Sequence, residues 1–139
     1  MLHGAAKGNV LEIGVRGGVS TSALLAGIED HGGHLYSVDI DPCNIFAGHK
    51  DWTFVQADSQ KWTPFIDVVE VFDVALIDGD HTYNGALHDL RKCRAERIFV
   101  HDTEAPDFPG VRQAVADFIE ETGRKVTYHE GSFGMAEIA

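Results

Sequence analysis

The chain has 139 residues, 44% hydrophobic and 24% charged, which suffices for one compact core and not for two, so residues 1–139 are read as one domain. Twenty-two Asp plus Glu against eleven Lys plus Arg leave a formal charge of -11, and protonating all eight His would not reverse its sign. Such a surface argues against a nucleic-acid backbone as partner and is repelled by anionic membranes.

Short apolar runs alternate with helical periodicity along the whole chain, the pattern of an α/β protein. The first predicted strand is residues 10–13, closed by Gly14. Ser20 is placed to cap a helix with Leu24, Leu25 and Ile28 on one face, ended by Gly32 and Gly33. Residues 35–38, 53–57 and 74–77 read as strands that finish on Asp39, Asp58 and Asp78. A helix capped near Thr82 carries Ala86, Leu87, Leu90 and Cys93, and leads to a strand at residues 97–100 that ends at His101 and Asp102. Pro106 and Pro109 mark a loop before a helix with Val111, Val115, Phe118 and Ile119, stopped by Gly123. Residues 125–128 and 133–138 look like a closing antiparallel pair joined through Gly131.

Cys43 and Cys93 are far apart and form no Cys-x-x-Cys unit, so reduced thiols are expected. Residues 1–8 lack the apolar stretch of a signal peptide, and no run approaches the ~20 apolar residues of a membrane span. The expectation is a soluble, cytoplasmic protein.

Strands that end in polar residues before a helix mark the carboxyl edge of a doubly wound sheet, where ligands bind near the topological switch point. Gly14-Val15-Arg16-Gly17-Gly18 follows a strand and opens a helix, so a ligand could approach its main chain closely. The loop does not fit the dinucleotide pattern Gly-x-Gly-x-x-Gly, because Arg16 stands where a pyrophosphate would touch the backbone. Asp39, ending the next strand, suits the two vicinal hydroxyls of a ribose. Loop and acid together point to an adenosine-type ligand.

The run Val10-Leu11-Glu12-Ile13-Gly14-Val15-Arg16-Gly17-Gly18-Val19-Ser20-Thr21 resembles the first motif of class I S-adenosylmethionine-dependent methyltransferases, in the form found in small-molecule O-methyltransferases. Val38-Asp39-Ile40-Asp41 is similar to the second motif, Gln56-Ala57-Asp58-Ser59 to the adenine-side motif, and residues 73–83 to the fourth-strand motif. The resemblance implies a Rossmann-like methyltransferase fold with a mostly parallel seven-stranded sheet and an antiparallel C-terminal hairpin. It implies that Glu12, Gly14, Val15, Gly18 and Ser20 line the methionine half of the cofactor and that Asp39 holds the ribose. Ile40, Asp58 and Ser59 would flank the adenine, with Asp78 also at the cofactor. A sulfonium ligand without phosphate suits a carboxylate-rich site. Arg16 is read as a solvated turn residue.

Asp78 and Asp102 end strands expected to be neighbours, about 4.8 Å apart, so one Mg²⁺ or similar divalent ion could bridge them. His81 stands where the family places a catalytic base, and His101 is the second candidate. The remaining histidines are read as surface residues, and Trp52 and Trp62 as packing near the third strand. With the first strand near residue 9, the N-terminal helices that cover the site in the family are expected to be missing. A partner subunit in a homodimer, or the loop at residues 103–109, could supply the cover. The expected activity is methyl transfer to a hydroxyl of a small molecule. A non-catalytic S-adenosylmethionine or nucleoside-binding module and a nucleotide-dependent oxidoreductase are the alternatives.

Overall fold

The computed structural model describes residues 1–62, 65 and 67–139. In chain order the elements are α1 (Leu2–Ala5), β1 (Gly8–Ile13), α2 (Val19–His31), β2 (Gly33–Asp39), β3 (Trp52–Gln56) and β4 (Phe72–Ile77). They continue as α3 (Tyr83–Lys92), β5 (Ala95–His101), α4 (Pro109–Thr122), β6 (Val126–His129) and β7 (Met135–Ile138). The strands form one seven-stranded sheet in the order β3-β2-β1-β4-β5-β7-β6. The first five are parallel, and β7 runs antiparallel to both β5 and β6.

From β1 the chain steps outward to β2 and β3, then returns to place β4 on the other side of β1. The switch point therefore lies between β1 and β4, and it opens a crevice above their carboxyl ends. Alternation along each strand divides the core. Leu11, Ile13, Ala75, Ile77, Ile98 and Val100 face α3 and α4, packing on Leu87, Leu90, Val111, Val115 and Phe118. Val10, Val74, Leu76 and Phe99 face the other way, against Leu24, Leu25 and Ile28 of α2.

Thr82 caps α3 by accepting from the Gly85 N–H, and Gly123 ends α4, both as the local sequence indicates. Ser20 does not cap α2. That helix starts at Val19, two residues earlier than a Ser20 cap implies, and its N-cap is Gly18 in the left-handed region (φ 81°) with no side-chain cap. The third strand stops at Gln56 rather than Ala57. A short helix not expected from the sequence, α1, packs on α2 so closely that a Cβ on Gly27 would stand 2.3 Å from the His3 carbonyl oxygen. Among the described residues no helix is long and apolar enough to cross a membrane.

Candidate active site

Gly14 ends β1 with φ 92°, and a Cβ there would lie 2.1 Å from the Asp78 carbonyl oxygen, so only glycine lets the ends of β1 and β4 meet. The Gly14 N–H donates to the Val38 carbonyl at 2.9 Å and the Asp78 N–H to that of Ile13 at 2.8 Å, tying three strand ends together. The loop that follows is folded around a carboxylate. Asp39 Oδ2 accepts from the N–H groups of Val15 (2.7 Å) and Arg16 (3.0 Å), and Oδ1 from that of Asp41 (2.9 Å). Burial alone would raise the Asp39 carboxyl, but the main-chain donors of Asp41, Arg16, Val15 and Ile40 outweigh it and hold it below the usual range.

Above this loop lies a cleft of about 420 Å³. Of the residues expected at the cofactor, Gly14, Asp39, Ile40, Asp58, Ser59 and Asp78 line it. Glu12, Val15, Gly18 and Ser20 do not, and the reasons are local. Val15 contributes its N–H to Asp39, and Gly18 backs onto Ile45 and Phe46. Ser20 rides on the first turn of α2.

Glu12 sits on the α2 face of β1, wholly buried, accepting from the Thr21 hydroxyl at 2.9 Å and the Ser37 hydroxyl at 2.7 Å. Burial pushes its carboxyl up to about 7. The Ser37 and Thr21 bonds oppose that rise, and the charges of Asp78 and Asp39 add to it.

Sequence reasoning did not place Arg16, Asp41, Gln60, Gly79 and Asp80 on the cleft wall. Four of these lie inside motifs already recognised, at Arg16, Asp41, Gly79 and Asp80, and Gln60 directly follows Ser59. With Asp39, Asp41, Asp58, Asp78 and Asp80, the wall is strongly negative around one arginine. A cationic ligand is favoured there.

At the far end of the cleft, three side chains from β4, the turn before α3 and the end of β5 converge. His81 Nε2 lies 2.8 Å from Asp102 Oδ2 and 3.3 Å from Asp78 Oδ1. One ligand atom from each of the three falls within 4.8 Å of the others. Burial raises the Asp78 carboxyl above the usual range. The positive charges of Arg16 and the neighbouring histidines pull against that shift, and Asp102 adds to it. Asp102 is buried with φ 62°, a strained conformation for a residue with a side chain. On one side of it His101 Nδ1 lies 2.7 Å from Asp102 Oδ1, and on the other Thr103 Oγ1 is buried with no hydrogen-bond partner among the described residues.

The Arg16 guanidinium reaches into this cluster. Its Nη2 is 3.0 and 3.1 Å from the two ring nitrogens of His81, near-equal distances that place it over the ring rather than on either lone pair. Arg16 is thus more than a solvated turn residue, although its side chain stays 56% exposed. Phe108 stacks on the imidazole at 4.3 Å between centroids. His81 and Phe108 border a second cleft of about 450 Å³, with Tyr83 and Pro109 also in its wall.

Trp52 donates to the Ser37 hydroxyl, Trp62 packs edge-on against Phe65, and the Tyr83 hydroxyl, from the wall of the second cleft, bonds Asp117 to anchor α3 on α4. Of the remaining histidines, His88 touches a segment that lines the first cleft, its Nε2 lying 3.2 Å from the Ser59 carbonyl.

A family pattern described as a methyltransferase domain matches residues 11–103. No curated protein matches the sequence. Among solved structures, the SAH-bound methyltransferase of Podospora anserina aligns at a TM-score of 0.71 with 16% identity, covering 94% of this chain and 70% of that one. A TDP-rhamnose 3′-O-methyltransferase of calicheamicin biosynthesis aligns at 0.70 with 14% identity, covering 94% and 70%. Aeropyrum pernix fibrillarin, with natively bound S-adenosyl-L-methionine, aligns at 0.68 with 14% identity, covering 97% and 68%. At these identities the structural likeness establishes the fold. The match over residues 11–103 establishes more: the chain belongs to the methyltransferase-domain family of S-adenosylmethionine-dependent enzymes.

Proposed function

We propose that the protein transfers a methyl group to a hydroxyl oxygen of a small molecule, with His81 removing the proton. One observation carries this reading: His81 and Asp78 stand between two clefts, one walled by Asp39, Ile40, Asp58 and Ser59, the other by Tyr83, Phe108 and Pro109. Two reactants held on opposite sides of that boundary can meet in line. When bound, S-adenosylmethionine supplies an electrophilic methyl on a sulfonium centre.

In this reading the carboxylates of the first cleft attract the positive ligand, and the spare lone pairs of Asp39 Oδ1 accept from a ribose hydroxyl. Ile40, 65% exposed, offers an apolar face to the adenine. At the boundary Asp102 orients His81 through Nε2, and Phe108 fixes the plane of the ring. Asp78, held close by, balances the charge that the imidazole gains with the proton. His101, on the far side of Asp102, is the second candidate base.

A metal-assisted variant rests on the same cluster. Two carboxylates and an imidazole within 4.8 Å of one another, beside the unpartnered Thr103 hydroxyl, fit a divalent cation. Asp78 and Asp102 would hold it, and His81 as a third donor favours a transition ion over Mg²⁺. It would supply positive charge beside the acceptor oxygen.

Calorimetric titration with S-adenosylhomocysteine, followed by a methyl-release screen over catechols, sugars and phenolic acids with and without EDTA, tests the proposal. Binding together with turnover supports it. Binding without turnover on any acceptor turns the reading to a non-catalytic module. Loss of turnover in EDTA, restored by Mn²⁺ more than by Mg²⁺, selects the metal-assisted variant.

A further inference from the structure

Asp89 is a carboxylate with no place in the mechanism above. It lies on α3, beneath the cofactor cleft, and is 1% exposed. Its Oδ1 accepts from Gln60 Nε2 at 3.0 Å, and the same amide nitrogen lies 3.3 Å from the Gly85 carbonyl oxygen. Its Oδ2 has no partner among the described residues and lies close to the cleft floor, where a Cβ added to Gly79 would come within 3.5 Å of it.

These contacts fix which way the Gln60 amide points. Both groups beneath it, a carboxylate oxygen and a main-chain carbonyl, are acceptors with no hydrogen to offer. An inverted amide would press its oxygen against two others and leave the NH₂ without either bond. The nitrogen therefore stays inward. The carbamoyl oxygen is left on the outer side of a residue that lines the cleft. Burial pushes the Asp89 carboxyl up to about 6, against the opposing pull of the Ser59 hydroxyl and His88, so it remains an acceptor at neutral pH.

We propose that Asp89 is a positioning residue for the nucleoside end of the cleft. By locking the Gln60 amide with its oxygen outward, it makes that wall select a ligand carrying a hydrogen-bond donor there, an exocyclic amine rather than a carbonyl. The proposal rests on the S-adenosyl reading of the cleft and adds to it a residue, two layers from the ligand, that sets base preference. Discrimination of this kind is large because the disfavoured ligand leaves a polar group facing one of its own kind.

The test compares S-adenosylhomocysteine with its 6-oxo analogue, S-inosylhomocysteine, by calorimetry on the purified protein. Wild type is expected to prefer the amine by roughly tenfold or more. Asp89→Leu, close in volume and without an acceptor, is expected to bring the ratio of the two affinities below about threefold. A merely structural role would weaken both ligands together and leave the ratio unchanged. Gln60→Leu, on the surface of the cleft, removes the same amide without touching the core, and is expected to lose the preference as well. It decides the matter where the Asp89 variant does not fold. If wild type binds S-adenosylhomocysteine but shows no preference, or if the variants keep it, the proposal is overturned while the cofactor reading stands. If S-adenosylhomocysteine does not bind wild type at all, both fall.

Discussion

Asp39 and Asp102 each stand at the carboxyl end of a parallel strand, on the same edge of one sheet, yet they are held in opposite ways. Asp39 is met by main-chain N–H groups from the loop beside it, and it stabilises the turn that surrounds it. Asp102 is strained, and it is met by two imidazoles, His81 from across a strand gap and His101 beside it, with an unpartnered Thr103 hydroxyl on its other flank. The first arrangement is held by the main chain alone and serves as a fixed platform. The second combines a strained carboxylate, two imidazoles and a hydroxyl that folding has not used, as expected where chemistry takes place.

The largest effect should come from the second corner. His81→Ala removes the group shared by Asp78 and Asp102, and is expected to lower turnover by about 10³-fold. Affinity for S-adenosylhomocysteine should stay within roughly threefold, because the platform around Asp39 is untouched. Unchanged turnover would remove His81 from the mechanism and leave His101 to be tested in the same way.

Glu12 lies beneath both corners and responds to both, since the charges of Asp78 and Asp39 each raise its carboxyl. Its folded value of about 7 exceeds the ordinary 4.5, so the folded state binds the proton more tightly than the unfolded chain does. That contribution is complete below pH 4.5 and is lost as the pH rises through 7. Glu12→Gln has no such proton to lose. Relative to wild type it should gain up to about 3 kcal/mol of stability between pH 4.5 and pH 8, measured by urea unfolding across that range. A difference between the two proteins that does not vary with pH would show that the buried carboxyl ionises without penalty.

Asp39→Asn tests the platform. The amide keeps one acceptor oxygen but turns an NH₂ toward main-chain donors, so the loop loses at least one bond and gains a clash of like groups. Affinity for S-adenosylhomocysteine should fall by roughly 30-fold, about 2 kcal/mol. Turnover at saturating cofactor should change far less than in His81→Ala.

The same contrast explains what the sequence discloses. Gly14, Asp39 and Thr82 act through neighbours a few residues away or through the strand pairing beside them, and the order of apolar runs fixes that pairing. The sheet and its carboxyl edge were legible for this reason. Glu12 stands off the cleft wall because a strand sends alternate side chains to opposite faces, and a motif does not say which face lines the cleft. Ser20 misled because a side-chain cap is the usual local rule, whereas here the loop must pass close under Ile45 and Phe46, which a glycine at position 18 permits. The roles of Arg16, Phe108 and Asp89 depend on side chains brought from more than 20 residues away. Nothing in their immediate sequence signals it.

Phe108 gives the smallest and most discriminating effect. Its ring lies nearly parallel to that of His81, 22° between planes, and is 37% exposed in the wall of the second cleft. Such a stack is worth about 1 kcal/mol beyond simple burial, so its loss frees the imidazole without removing it. Phe108→Ala should therefore lower turnover about fivefold and raise the acceptor KM by a similar factor, with cofactor affinity unchanged. Phe108→Leu restores apolar contact but not the flat face. If leucine recovers the KM and not the turnover, Phe108 does two separable things: it packs against the acceptor as bulk, and it orients the base as a plane.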